Sequence, residues 1–368
     1  MKKPFLSYFK DFFAFKRVIG GDVQLQGLVK ADALLSHLVT AHKIPGIAIS
    51  VLKNGAPYFQ KGYGFADLEN QTPIHPETSV FRIASVSKPI AATALAHMVA
   101  EGLIDLDTSF YTYVPYFPKK KWDFTIRQLA SHTAGVRGYL GKEYALNEPY
   151  SIKESIAVFK DADLLFEPGI GYHYNSYDWV LISLAMQEAS GIPFEDYVFK
   201  KVLQPLGLNS VFPADRSGVD HIKANKLALT TFYSKRAIGF RPAVTVNNYY
   251  KLAGGGYLAT ATDIAKLGQA YLDKKVLDET TLMQFITSEL LDDAPTYYGL
   301  GWQVSQDAKG RSYYGHIGNG VGGYSNFFVY PEQNVVIAML INCTNPNVQE
   351  TLDQVIHEVL ESSPPTVG

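Results

Sequence analysis

The segment Phe81-Arg82-Ile83-Ala84-Ser85-Val86-Ser87-Lys88-Pro89 runs into a helix-like stretch from Ile90 to Glu101, closed by Gly102. Ser85 and Lys88 stand one helical turn apart, a spacing that brings an amine beside a hydroxyl. A serine hydroxyl is a poor nucleophile until a base takes its proton. A lysine desolvated in a cleft, or held near another cation, has its pKa lowered enough to be that base. The start of the helix adds free N–H groups and a positive field, which favour an alkoxide or an oxyanion. The same Ser-x-x-Lys spacing recurs at Ser7–Lys10 and Ser50–Lys53. The first lies too close to the terminus to be walled in. The second lies along a strand, where residues three apart point to opposite faces. Only Ser85 begins a helix.

The elements that must hold such a pair come from both ends of the chain. Ile47, Ile49 and Val51 alternate with Ala48, Ser50 and Leu52 before Asn54-Gly55, and an extended run from Tyr58 to Tyr63 follows. An Asn-Gly pair between extended runs predicts a hairpin, because both turn residues need positive φ. Arg311–Tyr314, Ser325–Tyr330 and Val335–Ile341 read as three further strands, punctuated by Gly310 and Pro331-Glu332-Gln333-Asn334. Leu352, Val355, Ile356, Val359 and Leu360 give a one-faced closing helix. Leu106 to Val244 reads as helical segments and polar loops. Distant strands that must each bury an apolar face share one sheet, so the expectation is an α/β (α+β) fold. Its antiparallel sheet draws on residues 22–105 and 245–368, with a mostly helical insertion at 106–244.

Composition narrows the function. The 368 residues carry 33 Lys+Arg against 35 Asp+Glu, a net charge of −2. That balance argues against a nucleic-acid partner, which requires a concentrated basic surface. Cys343 is the one cysteine, so no internal disulfide or multi-cysteine zinc site is expected, and it reads as a buried thiol. No His-Glu-x-x-His appears among the nine histidines, so neither a metal nor another cofactor is implied. No Gly-x-Ser-x-Gly elbow is present either. No stretch reaches the roughly 18 apolar residues of a spanning helix. In the segment 1–21, Phe5, Tyr8, Phe9, Phe12 and Phe13 recur at helical spacing among Lys2, Lys3, Lys10, Lys16 and Arg17. That is an amphipathic helix, packed on its own protein or in peripheral contact with a membrane surface. Charges interrupt the region a signal peptide would need, so the sequence as written reads as cytoplasmic.

Ser85-Val86-Ser87-Lys88 resembles the Ser-x-x-Lys motif of penicillin-binding proteins and serine β-lactamases. It stands within an ordered series of blocks similar to the class C β-lactamase-like family. These are Ile44-Pro45-Gly46-Ile47, Gly62–Asp67, Phe81–Ser85, Thr125–Gly135, Pro168–Tyr174, Ala253–Tyr257, Tyr298–Trp302 and His316-Ile317-Gly318. Gly135–Tyr139 and Asn247–Tyr257 look most like the subgroup of the mitochondrial serine β-lactamase-like protein and its bacterial relatives. The resemblance implies the β-lactamase/transpeptidase-like fold and a second catalytic motif at Tyr174-Asn175-Ser176. There the family's Tyr-x-Asn has serine in third place. Tyr324-Ser325-Asn326 matches Tyr-x-Asn literally but falls after the third motif. That third motif is His316-Ile317-Gly318, where many relatives have Lys-Thr-Gly.

By this resemblance Ser85 is the nucleophile, Lys88 and Tyr174 move its proton, and the N–H groups of Ser85 and Asn319 form the oxyanion hole. Ser176, His316 and Gly318 contact substrate, with His316 bonding Tyr174 or the substrate itself. His132 of Ser131-His132-Thr133 is expected to hold a loop together. The expected activity is hydrolysis of short-chain esters or small or D-amino-acid peptides through an acyl-enzyme. A β-lactamase or D-Ala-D-Ala carboxypeptidase is the alternative within the class. A weakly active, self-associating scaffold or penicillin-binding sensor is the alternative outside it. Relatives in the family are often exported.

Overall fold

Alternating side chains shape the hairpin Gly46–Lys53 (β1) and Ala56–Asp67 (β2). Asn54 and Gly55 between them have φ of 53° and 76°, the left-handed pair that a two-residue hairpin turn requires. The register sets Ile47 opposite Tyr63 and Val51 opposite Phe59. This computed structural model describes residues 26–214, 222 and 224–362, so the amphipathic segment expected at 1–21 lies outside the described residues.

The central sheet joins both ends of the chain. Beyond β1 and β2 it contains Thr72–Pro73 (β3), Gln303–Gln306 (β6), Ser312–Gly320 (β7), Gly323–Tyr330 (β8) and Val335–Ile341 (β9). Its spatial order is β6-β7-β8-β9-β1-β2-β3, antiparallel throughout. β1 and β9 are covered on both faces. Ile47, Ile49, Val51, Ile337 and Ile341 pack under helices Gly27–Thr40 (α1) and Gln349–Glu361 (α5), through Leu35, Leu38, Leu352 and Val359. Ala48, Leu52, Val336, Ala338 and Leu340 face the other core cluster, which holds Ile264 and Leu267 of Ala261–Leu272 (α4). Each fully buried side chain of this size contributes about 1.5–3 kcal/mol, so the sheet is a stiff platform.

Three departures from the sequence expectation bear on the site. β7 runs on to Gly320 and takes in His316-Ile317-Gly318, where its glycines had hidden the strand. The helix after Ser85 starts earlier, as a tight turn Ala84–Val86 leading into Ser87–Ala100 (α2). Pro89 is tolerated there because the first helical N–H groups have no intrahelical acceptor. Finally, the end of the stretch expected as a helical insertion contributes strand pairings to the body. Ala228-Leu229 pairs with Ser79-Val80 of Ser79–Arg82 (β4), and Phe212-Pro213 pairs with Leu258-Tyr257 of Tyr257–Ala259 (β5). Tyr233-Ser234 pairs with Cys343-Thr344. Cys343 is buried. Among the described residues no helix is long and apolar enough to cross a membrane.

Candidate active site

The turn carrying Ser85 is fixed from both sides. β4 delivers the chain to Ile83, whose carbonyl accepts from Ser325 Oγ at 2.7 Å and from Val86 N at 3.1 Å. Ala84 then takes φ of 45°, a left-handed conformation that costs a side-chain-bearing residue free energy of order 1–3 kcal/mol. That kink opens the tight turn Ala84–Val86 ahead of α2 and leaves Ser85 half-buried at the surface of the core. β7 lies directly against this turn. A side chain at Gly318 would drive into the Ile83 carbonyl and Ser325 Oγ and come within 3.1 Å of Ser85 N. Glycine is what allows the strand so close to Ser85.

Lys88 is 0% exposed. Its Nζ donates to Ser85 Oγ at 3.1 Å, to Tyr174 Oη at 2.8 Å and to the Gly254 carbonyl at 2.9 Å. Tyr174 Oη donates in turn to Ser85 Oγ at 2.7 Å, closing a ring of three side chains. Burial lowers the Lys88 pKa to about 7; the charge of Asp178 opposes the fall and that of Lys251 adds to it. Tyr174 is 39% exposed, yet its hydroxyl end is enclosed by protein, and that desolvation holds the phenol above its ordinary pKa. Tyr174 therefore stays protonated while Lys88 titrates near neutrality. Gly254 O can only accept, so one N–H of the neutral amine stays on it. With a second N–H on Tyr174, the lone pair faces Ser85 Oγ.

The expected backbone donors belong to two neighbouring elements, the Ser85 turn and β7. The β7–β8 hairpin turns at Val321-Gly322, with Gly320 opposite Gly323 and Asn319 opposite Tyr324. Hydrogen-bonded and non-bonded pairs alternate along an antiparallel ladder. Ile317 N leaves the ladder and donates sideways to Gln303 Oε1 at 3.0 Å. Two residues on, the same parity carries the Asn319 N–H off the ladder, at the open edge of β7 beside the Ser85 turn. β6 stops short of it, pairing only as far as Gln303 with Gly315.

His316 and Ser176 both find hydrogen-bond partners within the protein. His316 is buried; its Nδ1 lies 2.7 Å from its neighbour's Ile317 carbonyl and its Nε2 lies 2.9 Å from Tyr298 Oη. Nδ1 therefore carries the proton, and Tyr298 donates to Nε2. The ring makes no hydrogen bond to Tyr174, their centroids being 5.9 Å apart. Burial, reinforced by the Lys88 charge, pushes its pKa down to about 3, so His316 is neutral. Ser176 is half-buried and hydrogen-bonds the Tyr139 hydroxyl. Asn175, the middle residue of the second motif, turns inward. Its side-chain nitrogen donates to Asp178 Oδ2 at 2.7 Å and to Val136 O at 3.0 Å, and its oxygen accepts from Asp178 N at 2.8 Å. This clasp locks the Tyr174 segment onto the first turn of Tyr177–Ser190 (α3). His132, expected in a structural role, is buried with Nδ1 2.7 Å from Asp178 Oδ2.

Sequence reasoning missed Gly254, Tyr298 and Asp178 as members of this constellation. Gly254 acts through its carbonyl, which no residue-type pattern reveals. Tyr298 opens a block that was recognised without any role for it. Asp178 lies one helical turn after Tyr174, and that spacing was its available signal.

Comparisons with known proteins bear on the family and the fold. The chain is 27% identical over 385 aligned positions to the serine beta-lactamase-like protein LACTB, mitochondrial, of Homo sapiens, covering 78% of this chain and 69% of that protein. Its fold matches the octameric penicillin-binding protein homologue from Pyrococcus abyssi with a TM-score of 0.79 at 23% identity, covering 92% of this chain and 78% of the other. The D-amino acid amidase from Ochrobactrum anthropi SV3, complexed with D-phenylalanine, matches with a TM-score of 0.78 at 20% identity, covering 90% and 98%. The family model described as Beta-lactamase matches residues 31–361, nearly the whole of the described chain, and with it this protein belongs to the β-lactamase family of serine hydrolases.

Proposed function

We propose that the protein is a serine acyl hydrolase that cleaves ester or amide bonds through an acyl-enzyme on Ser85. The observation that carries this reading is the fully buried Lys88, held by neutral acceptors only and closed into one hydrogen-bonded ring with Ser85 and Tyr174. With its pKa near 7, the amine accepts the Ser85 proton as Oγ attacks the substrate carbonyl carbon. The negative charge that develops on the carbonyl oxygen lies against the N–H groups of Ser85 and Asn319. As the bond to the leaving group breaks, Tyr174 gives its proton to the departing atom and takes one from Lys88. Water then attacks the acyl group, losing its proton along the same path, and Ser85 leaves with a proton restored.

The substrate we infer has an uncharged leaving group, such as a short-chain ester or a small or D-amino-acid amide. On the β7 side of the cleft, where many relatives place a lysine, this chain has a neutral histidine bonded to Tyr298. A leaving group with a carboxylate, as in a β-lactam or a peptide C-terminus, finds no permanent cation there. The amidase likeness supports the same preference by analogy of fold. Replacement of Ser85 by alanine tests the reading. Hydrolysis of p-nitrophenyl esters should disappear while thermal unfolding stays within a few degrees of the wild type; turnover retained in Ser85→Ala would refute it.

A further inference from the structure

Behind Tyr174 lies a second group of buried polar side chains that the proton relay does not use. His132 and Asp178 are 0% and 1% exposed and lie 2.7 Å apart. Two of their atoms, His132 Nε2 and Asp178 Oδ1, have no hydrogen-bond partner among the described residues. The His132 ring sits against Tyr174 and Tyr298, with centroids 4.6 Å and 4.9 Å away. Lys88 Nζ is 4.7 Å from the centre of the same Tyr174 ring. The Tyr174 ring is thus in contact with the amine and with the histidine, and the carboxyl stands beyond His132.

A charge balance follows from these contacts. Each acceptor of the Lys88 ammonium is neutral: a serine, a tyrosine and a peptide carbonyl. Among the described residues no carboxylate touches it, so its protonated form is favoured by charge only from a distance. The groups that act on the cluster come from several elements. Lys88 comes from α2, His173, Tyr172 and Tyr174 from the loop before α3, and His316 and Tyr298 from β7 and the segment before β6. Lys251, from the short turn Tyr249–Lys251, carries a like charge and lowers the Lys88 pKa, against Asp178. Asp178 is the acidic member of this set.

We propose that Asp178 is a positioning residue that sets the protonation of Lys88 across the Tyr174 ring, with Asn175 and His132 holding it there. An ionised Asp178 favours the ammonium; a protonated Asp178 frees the amine to act as a base. Burial pushes the Asp178 carboxyl above its ordinary range, while the Asn175 hydrogen bond and the Lys88 charge pull it back, so the carboxylate and the ammonium favour each other. The Asn175 clasp also fixes the direction of Tyr174, so one side chain serves both geometry and charge.

The inference rests on the acyl-hydrolase reading, and the experiment separates the two. The pH dependence of kcat/KM for a p-nitrophenyl ester is measured on the wild type, Asp178→Asn and His132→Gln, each checked for folding by circular dichroism. In Asp178→Asn the lysine loses its distant counter-charge, so the midpoint of the acidic limb moves to lower pH, by roughly half to one pH unit. In His132→Gln the carboxyl charge is kept and the midpoint stays near the wild-type value, whatever rate is lost. An unmoved or raised midpoint in Asp178→Asn overturns the inference. So does a fall in His132→Gln as large as that expected for Asp178→Asn, which also serves if Asp178→Asn does not fold. A wild type without Ser85-dependent hydrolysis instead counts against the hydrolase reading itself.

Discussion

Replacing Lys88 by methionine should abolish activity and make the protein more stable, in a way that depends on pH. Folding takes the Lys88 amine from its ordinary pKa of 10.5 to about 7 by burying it. The native state therefore binds this proton less tightly than the unfolded chain does. Between pH 7 and 10.5 the unfolded state holds more protons, so stability rises with pH across that window. Below pH 7 both states are protonated and the full cost is present, roughly 5 kcal/mol as an upper bound. Methionine removes that cost but leaves the buried Gly254 carbonyl without its donor, a loss of about 1–3 kcal/mol. The net expectation is a Lys88→Met protein about 2–4 kcal/mol more stable at pH 6. That advantage should shrink steadily as the pH rises towards 10.5. Urea denaturation of both proteins at pH 6, 8 and 10 reads the difference directly, and hydrolysis of a chromogenic ester confirms the loss of function. A stability gap that does not change between pH 7 and 10 would refute the claim that Lys88 is a desolvated, weakly basic amine.

Two further substitutions probe the relay and the oxyanion hole. Tyr174→Phe removes the proton carrier and the hydrogen bond to Ser85, so kcat should fall by about 10²–10⁴ while Ser85 remains reactive to a fluorophosphonate. Wild-type kcat in that variant would mean Lys88 acts alone. Gly318→Ala forces β7 away from the Ile83 carbonyl at a cost of about 1–3 kcal/mol in stability. With Asn319 displaced from Ser85, kcat should drop about 10²-fold or more, KM changing less; steady-state kinetics and a thermal melt check both. An unaffected kcat would move the oxyanion hole elsewhere.

Much of this was legible in the sequence because the local signals agreed with the tertiary demands. The Asn54-Gly55 turn, the alternation through β1 and the apolar run of β9 each specify strands, and together they require one sheet from both chain ends. Ser85 and Lys88 stood out by spacing at a helix start only in the company of the ordered blocks that resemble the family. The full extent of β7 did not, because Gly315, Gly318 and Gly320 carry no strand propensity; they serve close approach to the Ser85 turn and to β8. The partner of His316 was equally hidden. Tyr298 lies 18 residues away in sequence, and only the fold sets its hydroxyl against the ring. The second motif departs from the family's usual form in a way the sequence displayed but could not explain. Asn175 has turned into the scaffold to hold Asp178, and Ser176 pairs with Tyr139.

The most direct test of the account is intact-mass spectrometry of the protein quenched in acid during turnover of an ester, an amide and a β-lactam, followed by peptide mapping. The account predicts a covalent acyl adduct on the peptide containing Ser85, formed from the ester or amide and absent in Ser85→Ala. An adduct mapped to any other residue, or hydrolysis of all three substrates with no Ser85 adduct at any quench time, would contradict it.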